Sequence, residues 1–303
     1  MTAFKNQLKT VVLLGVLSAL LVGMGALVAP GYLYLFAAFA LAMNLGAYFF
    51  SDRIVLRMHG ANEVSPQQAP ELHAMVEELA ARAGIPKPRV FVIPEEQPNA
   101  FATGRNPKHG VVAVTEGMVQ LLGRRELRGV LAHELAHIKN RDILISSLAA
   151  AAAALISYVA HALSLAALFG GSAQDSDGES PSAGQGLLVA LVAPLAATLV
   201  QLGISRSREY LADATGAELS GDPEALASAL IKLERASELM PARRAAPATA
   251  SLFIVNPFGP METVARWFST HPSTVQRVRR LRAMAKRPVD SMPLQRRLAS
   301  GEW

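Results

Sequence analysis

Four stretches without Asp, Glu, Lys or Arg, residues 10–28, 32–50, 143–169 and 186–202, constrain the fold of this 303-residue chain most. Each approaches or exceeds the roughly 20 residues that a helix needs to cross a bilayer. Hydrophobic residues make up 51% of the chain and charged residues 17%, and the apolar excess is concentrated in these blocks. A Pro30-Gly31 turn joins the first two into a tight helical hairpin, and the other two form a longer one. Lys5 and Lys9 would suit the start of a cleaved signal peptide, but the second apolar stretch follows at once and argues for a retained anchor. The third stretch is the weakest span. Its alanine run, Ala149 to Ala154, is less hydrophobic than leucine, and His161 lies inside it. A long buried or interfacial helix is the alternative there.

The basic residues are sorted by side. Lys5 and Lys9 precede the first stretch, Arg53 and Arg57 follow the second, and Arg206 and Arg208 follow the fourth. The Gly/Ser-rich 170–185 loop carries Asp175, Asp177 and Glu179 with no basic residue. The positive-inside rule therefore puts both termini and the 51–142 region in the cytoplasm, with 170–185 as an external connector. A basic cluster, Arg277, Arg279, Arg280, Arg282, Lys286 and Arg287, reads as a solvated helix face beside anionic lipid headgroups. No aromatic residues interleave it and no recognition motif accompanies it, which argues against nucleic acid as a partner.

Just upstream of the third stretch stands Leu131-Ala132-His133-Glu134-Leu135-Ala136-His137, an HExxH pattern. Two histidines four apart on a helix point the same way and can reach one metal ion. Glu134 between them is placed to take a proton from a bound water. The chain has no cysteine, so disulfides and thiolate metal sites are excluded, and a metal must use His, Asp or Glu. A catalytic zinc needs a third protein ligand and one open position. Glu209 is the candidate, and Asp213, one helical turn on, is placed to accept a hydrogen bond from the far nitrogen of a ligating histidine. Either motif alone arises by chance. Their joint placement at the cytoplasmic mouth of the 143–202 hairpin turns a long sequence gap into a short spatial one.

Between the hairpins the chain reads as a soluble lobe. Leu72, Met75, Val76, Leu79 and Ala83 keep helical spacing behind Pro70. Residues 89–93 and 110–114 are short β-branched runs between turn residues, so two strands. Gly123 breaks the next helix, and a new one from about Arg125 carries HExxH. Further helices are expected from about Ser205, from Asp222 with Pro223 at the first helical position, and from about Pro272; residues 252–255 suggest a further short strand. His59, His73 and His109 lie on polar stretches with no partner at ligand spacing, and His161 is read as a helix-packing residue.

Several further motifs follow in order: 99–104 (NAFATG), 114–117 (VTEG), Asn140-Arg141-Asp142, Arg208-Glu209-Tyr210 through Asp213, 255–258 (VNPF), and His271-Pro272 with Arg277. With the HExxH helix and two apolar hairpins, the chain resembles the membrane-bound M48 metalloproteases of the HtpX type over nearly its whole length. That resemblance implies a mainly α fold with a small β-sheet: an α+β, zincin-like (gluzincin) catalytic domain on about four transmembrane helices. It implies an N-terminal hairpin over 1–51, a first part of the protease domain over 52–142, a second hairpin over 143–203 and a second part of the domain over 204–303. It also implies a zinc endopeptidase (one Zn2+ per chain) of the bacterial inner membrane, cutting unfolded or damaged membrane proteins from the cytoplasmic side in quality control and stress response. By position, His133, His137 and Glu209 take the ligand roles, Glu134 is the base, and Asp213 supports a ligand. Asn99 is implied to hold the substrate backbone and His271 to steady the oxyanion.

Two other readings compete. In an intramembrane-cleaving metalloprotease HExxH lies inside the bilayer, but Arg125, Arg128, Lys139 and Arg141 surround it here. Burying each at mid-bilayer would cost about 3 kcal/mol even on the lenient insertion scale. A membrane scaffold or transporter with purely structural zinc would be expected to offer four ligands, often thiolates, which this chain does not.

Overall fold

The structure, a computed structural model, describes residues 30–149, 206–239, 253–254 and 272–286, with isolated positions between 8 and 23. Most of the first apolar stretch, residues 150–205 with His161, the 170–185 loop, residues 255–258 and His271 lie outside the described residues.

A single turn at Pro30–Tyr32 leads into α1, Leu33–Met58. This helix is long and apolar enough to cross a membrane, by length and composition. Its first half is bare: Tyr34 is 90% exposed and Leu35 66%. Its last turns enter the protein body, where Val55 is fully buried. Asn44, midway, donates to the Leu14 carbonyl at 3.2 Å and to Ser18 Oγ, so the described positions of the first stretch lie against α1. Residues 143–149, the start of the third stretch, are helical, and Ile145, Leu148 and Ala149 pack with Leu14 and Ala47.

The body is helical around one small mixed sheet. Strand β1 is Asn62–Glu63, and α2, Pro70–Ala83, buries Leu72, Met75, Val76, Leu79 and Ala83 as their spacing requires. Strands β2 (Arg89–Ile93), β3 (Ala100–Thr103) and β4 (Val111–Thr115) follow. The sheet order is β1-β2-β4-β3. Strands β2 and β4 run parallel with Arg89 opposite Val111, and β3 lies antiparallel to β4 at the sheet edge with Ala100 opposite Val114. The two β-branched runs are thus the central strands. A short α3, Glu116–Leu121, capped by the Thr115 hydroxyl, leads to α4, Arg124–Asn140.

Three helices complete the body: α5 (Arg206–Ser220), α6 (Pro223–Leu239) and α7 (Thr274–Ala285). Asp222 caps α6 through the Ala225 N–H at 3.0 Å, and Ser273 caps α7 through the Gln276 N–H at 3.4 Å. Helix α4 is the hub, packed on α2, α5, α6 and β3. Its charged flank stays at the protein surface, where Arg125 pairs with Asp222 and Arg128 with Glu78.

Several expectations need correction. Of the expected strand over 252–255, Phe253 and Ile254 are described and form a bend, with the Ile254 N–H and carbonyl bonded to side chains rather than to a sheet edge. His59 and His73, on polar stretches of the sequence, are both buried. His59 is packed between Phe101 and Phe253, and His73 Nε2 meets the Val64 carbonyl at 2.9 Å. Arg277 does not belong to the solvated basic face: it is 1% exposed. On α7 it shares the buried stripe with Thr274, Val278 and Leu281, while Arg279, Arg280 and Arg282 face out.

Candidate metal centre

Helix α4 forms because Leu127, Val130, Leu131, Leu135 and Ile138 recur at helical spacing on its buried faces. The Glu126 carboxylate starts it by accepting the Gly123 N–H at 3.0 Å, and Arg141 ends it in the left-handed region at φ 57°. One turn apart on this rigid element, His133 and His137 bring their Nε2 atoms to 3.2 Å. Helix α5 adds Glu209, whose two oxygens lie 3.8 Å from His133 Nε2 and from His137 Nε2. The three donor atoms all fall within 4.8 Å of one another. Helix α5 approaches this closely because residue 216 is glycine. A Cβ there would sit 2.8 Å from the His133 backbone nitrogen.

Each histidine turns its other nitrogen to a carboxylate. His133 Nδ1 lies 3.0 Å from Asp213 Oδ1. His137 Nδ1 lies 3.1 Å from Asp142 Oδ1. The left-handed turn at Arg141 carries the chain back so that Asp142 reaches His137. Asp213 is in turn gripped by Arg277, with Nε to Oδ2 at 2.9 Å and Nη2 to Oδ1 at 2.7 Å. This fork-on-carboxylate pairing is the strong geometry for a buried ion pair. Arg277 Nη2 also comes within 3.4 Å of His133 Nε2.

These contacts set the charges. Burial alone would raise the Asp213 pKa, but Arg277 and His133 hold it down at about 2. Burial would likewise lower His137, yet Asp142, Glu209 and Glu134 push it up to about 10. For His133 burial and the Arg277 charge outweigh Asp213, and its pKa falls. Burial pushes Glu134 up to about 8, with Glu209 adding to the rise and His137 and Arg277 opposing it. Glu134 also accepts a backbone N–H from Ala102 in β3, which sets it directly beneath the edge strand. Above these groups the cleft is walled by Ala102, Ile143, Phe253 and Ile254.

The sequence-derived candidates fall as follows. His133, Glu134, His137 and Glu209 line one cleft, and Asp213 stands behind His133. Asn99 precedes β3, is 3% exposed, and its side-chain oxygen accepts the Ile254 N–H at 3.3 Å. Asp142 and Arg277 stand in the sequence motifs with no role assigned there, and the structure brings both to the site. A charged residue on an otherwise apolar helical stripe would have exposed Arg277, and a carboxylate just past the end of the HExxH helix would have suggested Asp142.

The residues fit a divalent cation. Two imidazoles with inward nitrogens, each backed by a carboxylate, plus one carboxylate from a facing helix, form a three-ligand set of the kind catalytic zinc sites use. Such a centre, with a buried glutamate between the two histidines, defines the HExxH metallopeptidase class. The chain matches peptidase family M48 over residues 66–285, and it belongs to that family. It is 54% identical over 280 residues to a Protease HtpX homolog of Pyrococcus abyssi, covering 92% of this chain and 96% of that protein. It is 52% identical over 281 residues to a Protease HtpX homolog of Syntrophobacter fumaroxidans, covering 92% and 99%. Among solved structures, the crystal structure of S. mikatae Ste24p is a distant likeness, with a TM-score of 0.47 and 19% identity. The match covers 88% of this chain and 65% of that one.

Proposed function

We propose that this chain is a zinc-dependent endopeptidase of the membrane, cutting unfolded or damaged membrane proteins at their cytoplasmic segments. The observation that carries the proposal is the convergence of His133, His137 and Glu209 within 4.8 Å, with Glu134 buried beside them. These three residues would hold one zinc per chain, and zinc when bound supplies a Lewis acid that acidifies water and polarises a carbonyl. Glu134 takes the proton of the attacking water and hands it to the departing amine. Its desolvated setting suits a group that must both accept and return a proton near neutral pH. Asp142 and Asp213 keep the two imidazoles oriented, and Arg277 keeps Asp213 ionised. Strand β3, the sheet edge among the described residues, is where an extended substrate would add its backbone, a mode of binding that reads shape more than sequence. His271 is assigned to the oxyanion.

Membrane attachment is supported by the bare apolar first half of α1 and by the apolar stretches the sequence carries. Exposing such a helix to water is unfavourable at about 25 cal/mol per Å2 of apolar surface, and a bilayer removes that cost. The sorted basic residues support a cytoplasmic cleft. The testing experiment is proteolysis of an unfolded protein by the detergent-purified chain. Cleavage that a chelator stops and zinc restores is expected, and zinc-loaded chain inert on several unfolded substrates would contradict the proposal.

A further inference from the structure

Ile254 is held from both sides. Its N–H donates to the Asn99 side-chain oxygen at 3.3 Å, and its carbonyl accepts from Arg277 Nη1 at 2.8 Å. Both partners are buried. Asn99 is itself fixed, because its N–H donates to Thr115 Oγ1 and its carbonyl accepts the Thr115 N–H, each at 2.8 Å. Next to Ile254, the Phe253 ring rests on His59 at a centroid distance of 5.6 Å, and His59 rests on Phe101 of β3 at 5.4 Å. A two-residue bend is thus gripped by the end of α1, by the edge strand and the residue preceding it, and by α7. Two buried hydrogen bonds and an aromatic contact hold these two side chains against the cleft, where Ala102 and Ile143 join them as the apolar lining beside Glu134, with Asp142 and Ser146 also lining it.

The geometry points to Phe253 and Ile254 as the residues that select the substrate side chain next to the cut bond, favouring medium-sized apolar groups, with Asn99 and Arg277 as the positioning residues that hold them. This inference rests on the proteolytic reading above. An acidic substrate side chain meeting this wall would lose its water and face the Glu134, Asp142 and Glu209 carboxylates that share the cleft. The Asn99 side-chain oxygen accepts the Ile254 N–H, and through that bond Asn99 positions the wall.

The test uses the zinc-loaded full chain in detergent and a peptide mixture randomised around its centre, with cut sites read by mass spectrometry. Phe253→Ala, Phe253→Leu, Asn99→Ala and the Asn99→Ala/Phe253→Ala pair are compared with wild type, and zinc content and Tm are recorded for each. Wild type is expected to prefer Val, Leu or Ile over Asp at one flanking position by about 10-fold or more. Phe253→Ala should move the preference toward Phe and Trp, and Asn99→Ala should blur it about five-fold. The double variant should do no more than Phe253→Ala alone, with zinc content unchanged throughout. Where Phe253→Ala does not fold, Phe253→Leu should give a smaller shift in the same direction. Identical preferences in all variants, whatever their rates, would overturn the inference, because a purely structural role slows every peptide alike. Additive shifts in the double variant would also overturn it, placing Asn99 directly on the substrate. No cleavage by wild type would overturn the proteolytic reading, and the inference would fall with it.

Discussion

Helices α1 and α4 are opposites in composition and in burial. Helix α1 is the apolar one, yet only 6% of its most apolar window is buried in the protein. Helix α4 holds Arg124, Arg125, Glu126, Arg128, Lys139, two histidines and Glu134, yet ten of its residues are buried. Apolar surface left bare by the described residues fits the membrane attachment proposed above. Polar groups buried at the hub mark a site where burial has been accepted for chemistry, and each then needs a partner. Asp213, Asp142 and Arg277 are those partners. Hydropathy thus does not predict burial within the protein for these two helices, and the accounting of polar contacts does.

The contrast breaks most sharply at Arg277. Removing it in Arg277→Ala leaves Asp213 buried with its main counter-charge gone, which costs about 3–5 kcal/mol. Chemical denaturation in detergent should show it. A loss under 1 kcal/mol would mean that the buried network is not what holds α7 and α5 together. Next comes Asp142→Asn, which keeps the shape but removes the charge facing His137. Zinc affinity measured by chelator competition should fall about 10–100-fold, as changes to outer-shell partners do.

Gly216→Ala tests the close approach of α5 to α4. Overpacking there costs about 1–3 kcal/mol and should weaken zinc binding by moving Glu209 and Asp213 away from the histidines. On α1, one kind of change at two ends sharpens the comparison. Val55→Ser in the buried end should cost about 1.5–3 kcal/mol, and Leu35→Ser in the bare end should stay within about 0.5 kcal/mol in detergent. Equal costs would mean that the bare end is covered by protein.

The pH dependence follows from the shifted groups. His137, with its pKa pushed up to about 10, holds a proton at neutral pH that a metal must displace. Zinc affinity should therefore rise about ten-fold per pH unit between pH 6 and 8 for this one proton. Asp213 gives the stability arm. Its folded pKa of about 2 lies below its ordinary 3.8, so its contribution is complete above about pH 4 and is lost as pH falls through 2.

Much of this was legible beforehand where local rules act alone. The i,i+4 pairs His133/His137 and Glu209/Asp213, the stripe of α2, the central strands and the Asp222 cap all follow from spacing and turn chemistry. Strand β3 lacked a signal of its own, because all four of its residues are buried and only Phe101 is bulky, so no alternation survives. Asp142 lies five residues from His137, off any helical register, and meets it only through the left-handed Arg141. Arg277 hid among basic neighbours until its stripe was traced through Thr274, Val278 and Leu281. The grip on Ile254 joins residues more than 150 positions apart, and no local pattern encodes it.

Glu134→Gln tests the central claim most directly, with bound zinc counted and turnover of an unfolded protein measured in the same preparation. One zinc per chain retained, with turnover down about 100-fold or more, is the predicted result for loss of a general base. Turnover equal to wild type would contradict the assignment of Glu134 and the reading of the site built around it.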